Sequence, residues 1–264
     1  MAGPRCRIAT RGAGRHRGRA LLSTATLVVI AGAFAGGFAS GLTGFGLGLV
    51  SLGIWLHAIG PIEAAALVAI CSIFCQLQTI PQIWHAIDWR RVGPMIGMGL
   101  LGVPLGIWLL PRIDPDRLRL GAGILLVAFS GLLLVMPSRP LVTAGGRGAE
   151  GAVGFLGGVL GGLGGLSGPP PILWAALRGW SKEERRSVFQ AFNLSILAVS
   201  ALGHVVAGTA NASIGRHLLA ALPAAALGAW LGFRAYLRLS DRSFHRIVLV
   251  LLFVSGLSLI VTHV

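Results

Sequence analysis

The sequence predicts an all-α polytopic membrane protein: about eight hydrophobic segments in two related four-segment halves, each half opening with a discontinuous segment rich in glycine and proline. Three observations predict it. Of 264 residues, 55% are hydrophobic and 11% charged, against about 25% charged in an ordinary globular domain. Apolar runs long enough to cross about 30 Å of hydrocarbon recur along the chain. A Gly-rich stretch, GGFASGLTGFG (Gly36 to Gly46), returns 121 residues later as GGVLGGLGGLS (Gly157 to Ser167).

The segments run Leu21 to Leu56, Ile62 to His85, Val92 to Leu110 and Leu118 to Met136 in the first half. Ala152 to Leu177, Val188 to Gly208, Leu218 to Tyr236 and Ile247 to Val261 form the second. This divides the chain into a basic cytoplasmic tail (1–20), a first membrane repeat (21–136), a connecting loop (137–149) and a second membrane repeat (150–264), with no room for a soluble domain. Arg5 to Arg19, followed by an apolar run and Ala33-Phe34-Ala35, has the look of a signal peptide. The residues just past that supposed cut match the second repeat, so they belong to the folded body.

The formal net charge of +14 lies in the tail and connections, where Lys and Arg set membrane orientation; nucleic-acid binding is not expected from it. If all eight segments crossed in turn from a cytoplasmic N-terminus, the clusters Arg178 to Arg186 and Arg234 to Arg246 would both lie outside. Letting one Gly-rich segment enter and leave on the same side puts both clusters, Arg90, Arg91 and the tail inside. The halves then face opposite ways, as in transporters with inverted repeats.

The repeat aligns Gly36, Gly37, Gly41 and Gly44 with Gly157, Gly158, Gly162 and Gly165, and Glu63 with Glu184. Irregular backbone at membrane depth survives only where protein or a water-filled cavity surrounds it. The breaks are SGLTGFG in the first half and GGLSGPPP in the second, where three prolines forbid a continuous helix. Proline is tolerated at a helix start, so Pro171 or a neighbour begins a half-helix through Leu177. Such a start carries unpaired N–H groups and about half a positive charge. Two of them would form a cationic site without a cation, assisted by the hydroxyls of Ser40, Thr43 and Ser167. The bland alternative is that these glycines only let helices pack closely.

The next span of each half carries a polar stripe. Ser72, Gln76 and Thr79 share one helical face, matched in the second half by Asn193, Leu197 and Ser200, with Gln190 and His204 extending it. These residues line a cavity or make ordinary interhelical hydrogen bonds. The substrate-binding set is therefore Gly41, Thr43, Gly44, Gly46, Gly162, Gly165, Ser167, Gly168, Gln76, Gln190 and Asn193. None of the eight carboxylates falls in mid-span, which disfavours cation transport. Cys71 and Cys75, one turn apart, lack further metal ligands nearby and read as core packing, and His204 as a packing residue.

With its duplicated segments GGFASGLTGFGLGLVS and GGVLGGLGGLSGPPPIL and the helix QAFNLSILAV, the chain resembles the sulfite exporter TauE/SafE family, the toluene sulfonate uptake permease group, from Gly32 onward. The resemblance implies a plasma-membrane carrier moving sulfite, sulfonates or related organosulfur anions. The expected function is a secondary carrier working by alternating access around the paired breaks. Its partners are the lipid bilayer, a small anion and, for coupled transport, a second ion; no cofactor or metal is expected.

Two other classes compete. An anion channel also uses discontinuous helices. A membrane-embedded serine hydrolase would use Ser167, but Gly165-Leu166-Ser167-Gly168-Pro169 lacks the last glycine of G-x-S-x-G and no strand precedes it. No enzyme activity is expected. Gly97, Gly99 and Gly102 match G-x-G-x-x-G inside a span and read as helix packing.

Overall fold

The computed structural model describes residues 13–135 (except 83, 84 and 86), 142, 145–180, 182–206, 212–238 and scattered positions between 249 and 261. Residues 1–12 of the tail with Cys6, most of the loop 137–144, and Asp241, Arg242 and Arg246 of the last basic cluster lie outside the described residues, as does much of the eighth segment. The fold is all-helical. The helices are α1 (Ala13–Thr43), α2 (Leu47–Trp55), α3 (Pro61–Thr79), α4 (Trp89–Leu109), α5 (Pro115–Val135), α6 (Arg147–Gly164), α7 (Pro169–Leu177), α8 (Lys182–Val206) and α9 (Ala212–Tyr236).

Six spans among the described residues are long and apolar enough to cross a membrane: Thr24–Thr43, Pro61–Thr79, Trp89–Arg112, Pro115–Val135, Glu184–Val206 and Ile214–Tyr236. The difference from eight has a local cause. Ala152 to Leu177 is two helices rather than one, neither of which supplies a span, and the last segment is described only at separate helical positions; Leu21 to Leu56 is also two helices, but the first supplies Thr24–Thr43.

Both Gly-rich segments fold back. At the first, Gly44 has φ 85°, a conformation that favours glycine, and α1 stops there. The Thr43 hydroxyl donates to the Ala39 carbonyl (2.9 Å) and accepts from the amides of Phe45 (3.2 Å) and Gly46 (3.0 Å). It therefore ties the end of α1 to the turn that precedes α2, and α2 returns along α1, with Ser51 Oγ donating to Gly32 O (2.8 Å) and Trp55 Nε1 to Val29 O (3.0 Å).

At the second, Gly165 has φ 69° and ends α6 as a left-handed glycine cap, with Gly165 N donating to Gly161 O (2.9 Å) and Leu166 N to Leu160 O (3.1 Å). Pro169, Pro170 and Pro171 then form the first turn of α7, where missing amide hydrogens cost a helix nothing. The return of α7 brings Leu177 O to Val142 N (3.0 Å) and Trp174 against Gly145.

Glycine faces weld the helices in pairs. A Cβ on Gly37 or Gly41 of α1 would strike the backbone of Ala225 or Ala229 of α9, and one on Gly228 or Gly232 would strike Phe34 or Phe38. The pair α4 and α6 repeats this, Gly99, Gly102 and Gly106 lying against Gly154, Phe155 and Val159. Close approach through small residues is the ordinary means of joining helices in lipid. Leu101, Leu132, Leu219 and Leu227 point outward, 54–77% exposed except Leu132 at 49%, as lipid-facing positions do.

The ends of the molecule differ in charge. Arg91 meets Glu184 (2.9 Å) and lies over Trp180, while Arg186 lies over Tyr236, so the start of α4, the start of α8 and the end of α9 share one basic end. Glu63 and His217 join the starts of α3 and α9 at the other end (2.7 Å). The contacts of Gly37 and Gly41 make α1 run parallel to α9, so α1 starts at the end away from Arg91. One fold-back was expected and two are present, while residues 1–12 of the tail lie outside the described residues.

Candidate functional site

The two breaks touch. A Cβ placed on Gly168 would lie 3.1 Å from Phe45 Cδ2, and one on Gly48, in the first turn of α2, would strike the Gly165 carbonyl oxygen. Phe45 is also set edge-on against Phe189 of α8, with centroids 5.8 Å apart at 83°. The first and second fold-backs thus meet in the protein interior, beside α3 and α8.

The donors expected there are largely spent. At the first break Gly44 N bonds to Ser40 O (2.6 Å), and Phe45 N and Gly46 N bond to Thr43. At the second, the amides of Gly165 and Leu166 close α6, and three prolines remove the N–H groups that the start of α7 would otherwise present. Bare amides from two helix starts are therefore not what this region offers; only α2 keeps first-turn amides, those of Leu47, Gly48 and Leu49, without an acceptor in its own ladder. Gly41 and Gly162 lie inside α1 and α6 and pack on Ala229 and Val103. Gly44, Gly46, Gly165 and Gly168 do lie in the breaks.

The polar stripe divides into two groups. Ser167 donates to Asn193 Oδ1, tying the second break to α8, and Gln190 Nε2 donates to Thr79, tying α8 to α3. Ser200 donates to Gly161 O (3.3 Å). These are interhelical ties. Against them, Ser72 Oγ, both side-chain amide atoms of Gln76 and Oε1 of Gln190 are buried with no hydrogen-bond partner among the described residues. Gln76 is 1% exposed. Leaving such a group unpaired costs about 1–3 kcal/mol, so a buried glutamine with neither atom satisfied asks for a further partner.

One residue of this region was missed. Arg186 stands one turn before Gln190 on α8 and is 7% exposed, and among the described residues none of its three nitrogens has a hydrogen-bond partner. Its guanidinium lies 4.0 Å from the Tyr236 ring centre and 5.5 Å from that of Phe233. A Cβ on Gly44 would lie 3.0 Å from Gln190 Cγ and 3.8 Å from Arg186 Cγ. In the sequence it sat within a run of loop-like charges, Lys182 to Arg186, although positions 186, 190, 193, 197, 200 and 204 continue one helical face.

Elsewhere, Cys71 and Cys75 are buried free thiols, and Ser167 faces an amide rather than a base. Gly99 and Gly102 pack against α6, whereas Gly97 has open space. Residues 28–259 match the family described as Sulfite exporter TauE/SafE. No curated protein and no solved structure matches the chain.

Proposed function

The chain belongs to the Sulfite exporter TauE/SafE family, and from that premise we propose that it is a secondary carrier of a small anion, sulfite, a sulfonate or a related organosulfur anion, in the plasma membrane. It is a multi-pass membrane transporter by family and by its apolar helices. The observation that carries the finer reading is Gln76: an amide buried at membrane depth with no partner, in the helix whose Thr79 holds Gln190 beside the first break. A polar group kept unsatisfied in such surroundings is ready to bind something that comes and goes.

Alternating access is supported by the internal symmetry. Helices α1 and α6 end at Thr43 and Gly164, and α3 and α8 begin at Pro61 and Lys182, each pair separated by the same 121 residues. The fold-backs enter from opposite ends and touch in the interior, so rocking one half against the other would open the contact between Phe45 and Gly168 to each side in turn.

The test is transport by the purified protein in liposomes, with sulfite, sulfoacetate, thiosulfate and sulfate as candidates. Saturable uptake of at least one, accelerated by the same anion on the far side, is the expected result. Flux that grows linearly with concentration would make the protein a channel. No flux of any of the four would remove the organosulfur reading.

A further inference from the structure

We propose that Arg186 is the fixed counter-charge of the anion site and selects an oxyanion with at least two oxygens on one centre over a spherical anion. This rests on the transport reading above and deepens it by naming the residue that sets charge and shape. The half-charges expected from two helix starts are reduced to one, since Thr43 and Ser40 accept from the amides of the first break and three prolines open α7, leaving only the first-turn amides of α2. A full positive charge stands in that region instead, inside the span Glu184–Val206.

The geometry around it points to a ligand. A guanidinium presents five donors in a planar fork that fits two oxygens of one anion at once. Here that fork is buried, and among the described residues no carboxylate or carbonyl accepts from it. The nearest acidic side chain on its own helix whose contacts are described, Glu184, is taken by Arg91 (2.9 Å). What Arg186 has is two aromatic faces, Tyr236 and Phe233, from the end of α9. Aromatic faces stabilise a cation without consuming its N–H groups, so they hold the charge in place and leave the fork open.

Beside the stem of Arg186 lies bare backbone. Gly44 has no side chain and has a φ that no β-branched residue adopts comfortably, and it lies against Gln190 and the stem of Arg186. Any side chain at this point of the first break would crowd Gln190 and approach the stem of Arg186. Arg186 belongs to α8 while Tyr236 belongs to α9 and Gly44 to the fold-back, so an anion bridging them would feel any shift of one against the others.

The closing experiment measures KM for sulfite, kept under nitrogen, and inhibition by chloride in proteoliposomes of the full chain and of Arg186→Gln and Arg186→Lys. Loss of the charge-assisted fork should raise the KM of Arg186→Gln about ten- to a hundred-fold, and Arg186→Lys should keep part of the affinity while losing the preference for sulfite over chloride. A wild-type KM in Arg186→Gln overturns the assignment, since a packing role alone would alter the amount of folded protein and not KM. Should Arg186→Gln fail to fold, Arg186→Lys carries the test, and a wild-type sulfite-to-chloride preference in it overturns the assignment. If the wild-type protein moves no oxyanion, the transport reading itself fails and this assignment with it; the two failures are told apart by the wild-type arm.

Discussion

Phe45, the middle residue of the first break, lies against Gly168, the residue that caps the first turn of the second half-helix, close enough that a Cβ on Gly168 would stand 3.1 Å from its ring. Two segments that start at opposite ends of the molecule therefore stop at each other. Each stops for its own local reason, a glycine with positive φ.

That reason predicts the effect of alanine. At Gly165 a Cβ meets both a left-handed backbone and the Val68 side chain, and the backbone alone costs about 1–2 kcal/mol. Gly165→Ala should lower the thermal midpoint in detergent by several degrees. Gly121→Ala, where nothing lies within 4 Å, should leave it unchanged or slightly raised, because alanine is the better helix former. Equal midpoints for the two variants would contradict the strained turn.

Thr43 serves two helices with one hydroxyl. Thr43→Ala should cost about 1 kcal/mol, the usual net size of a lost buried hydrogen bond, and Thr43→Ser should restore most of it. Thermal unfolding of the two variants decides this; a neutral alanine would mean the break is held by packing alone.

The ion pair of Arg91 with Glu184 joins α4 to α8, but its side chains are 37% and 44% exposed. Exposed pairs contribute about 0–1 kcal/mol. Glu184→Gln should therefore shift stability by less than about 1 kcal/mol, with the shift shrinking in high salt. A larger, salt-independent loss would assign the pair a structural role that its exposure does not suggest.

Much of the fold is legible in the sequence because hydrophobic length and the special residues of turns act locally. Gly44 and Gly165 end their helices 121 residues apart, and Pro169 to Pro171 open α7, as helix chemistry dictates. Gly41 and Gly162 read identically as letters, yet they are contact points with α9 and α4. Glycine serves both breaks and close packing, and only the partner helix tells which. The bare amides were legible only in part for a different reason: the hydroxyl and the prolines that mark the breaks also satisfy or delete several of the donors there, while the first-turn amides of α2 stay outside its ladder.

Arg186 was obscured by its neighbours. Lys182, Arg185 and Arg186 form one basic run, and such runs normally mark a loop end on the positive side of a membrane. The burial of Arg186 depends on α9 delivering Tyr236 and Phe233 over it. That contact spans fifty residues of chain and leaves no local signature. The same holds for which members of the polar stripe are satisfied, since the partners of Gln190 and Asn193 come from Thr79 and Ser167 on other elements.

The most direct measurement is a pair of readings on Gln76→Leu: thermal midpoint in detergent and sulfite flux in proteoliposomes. Replacing a buried, unpartnered amide by an apolar side chain of similar size removes an unmet polar group, so a purely structural glutamine would yield a midpoint as high or higher with flux intact. The account predicts the same or higher midpoint with flux reduced about ten-fold or more, the loss of one hydrogen bond to a charged ligand. Wild-type flux in a well-folded Gln76→Leu protein would contradict it.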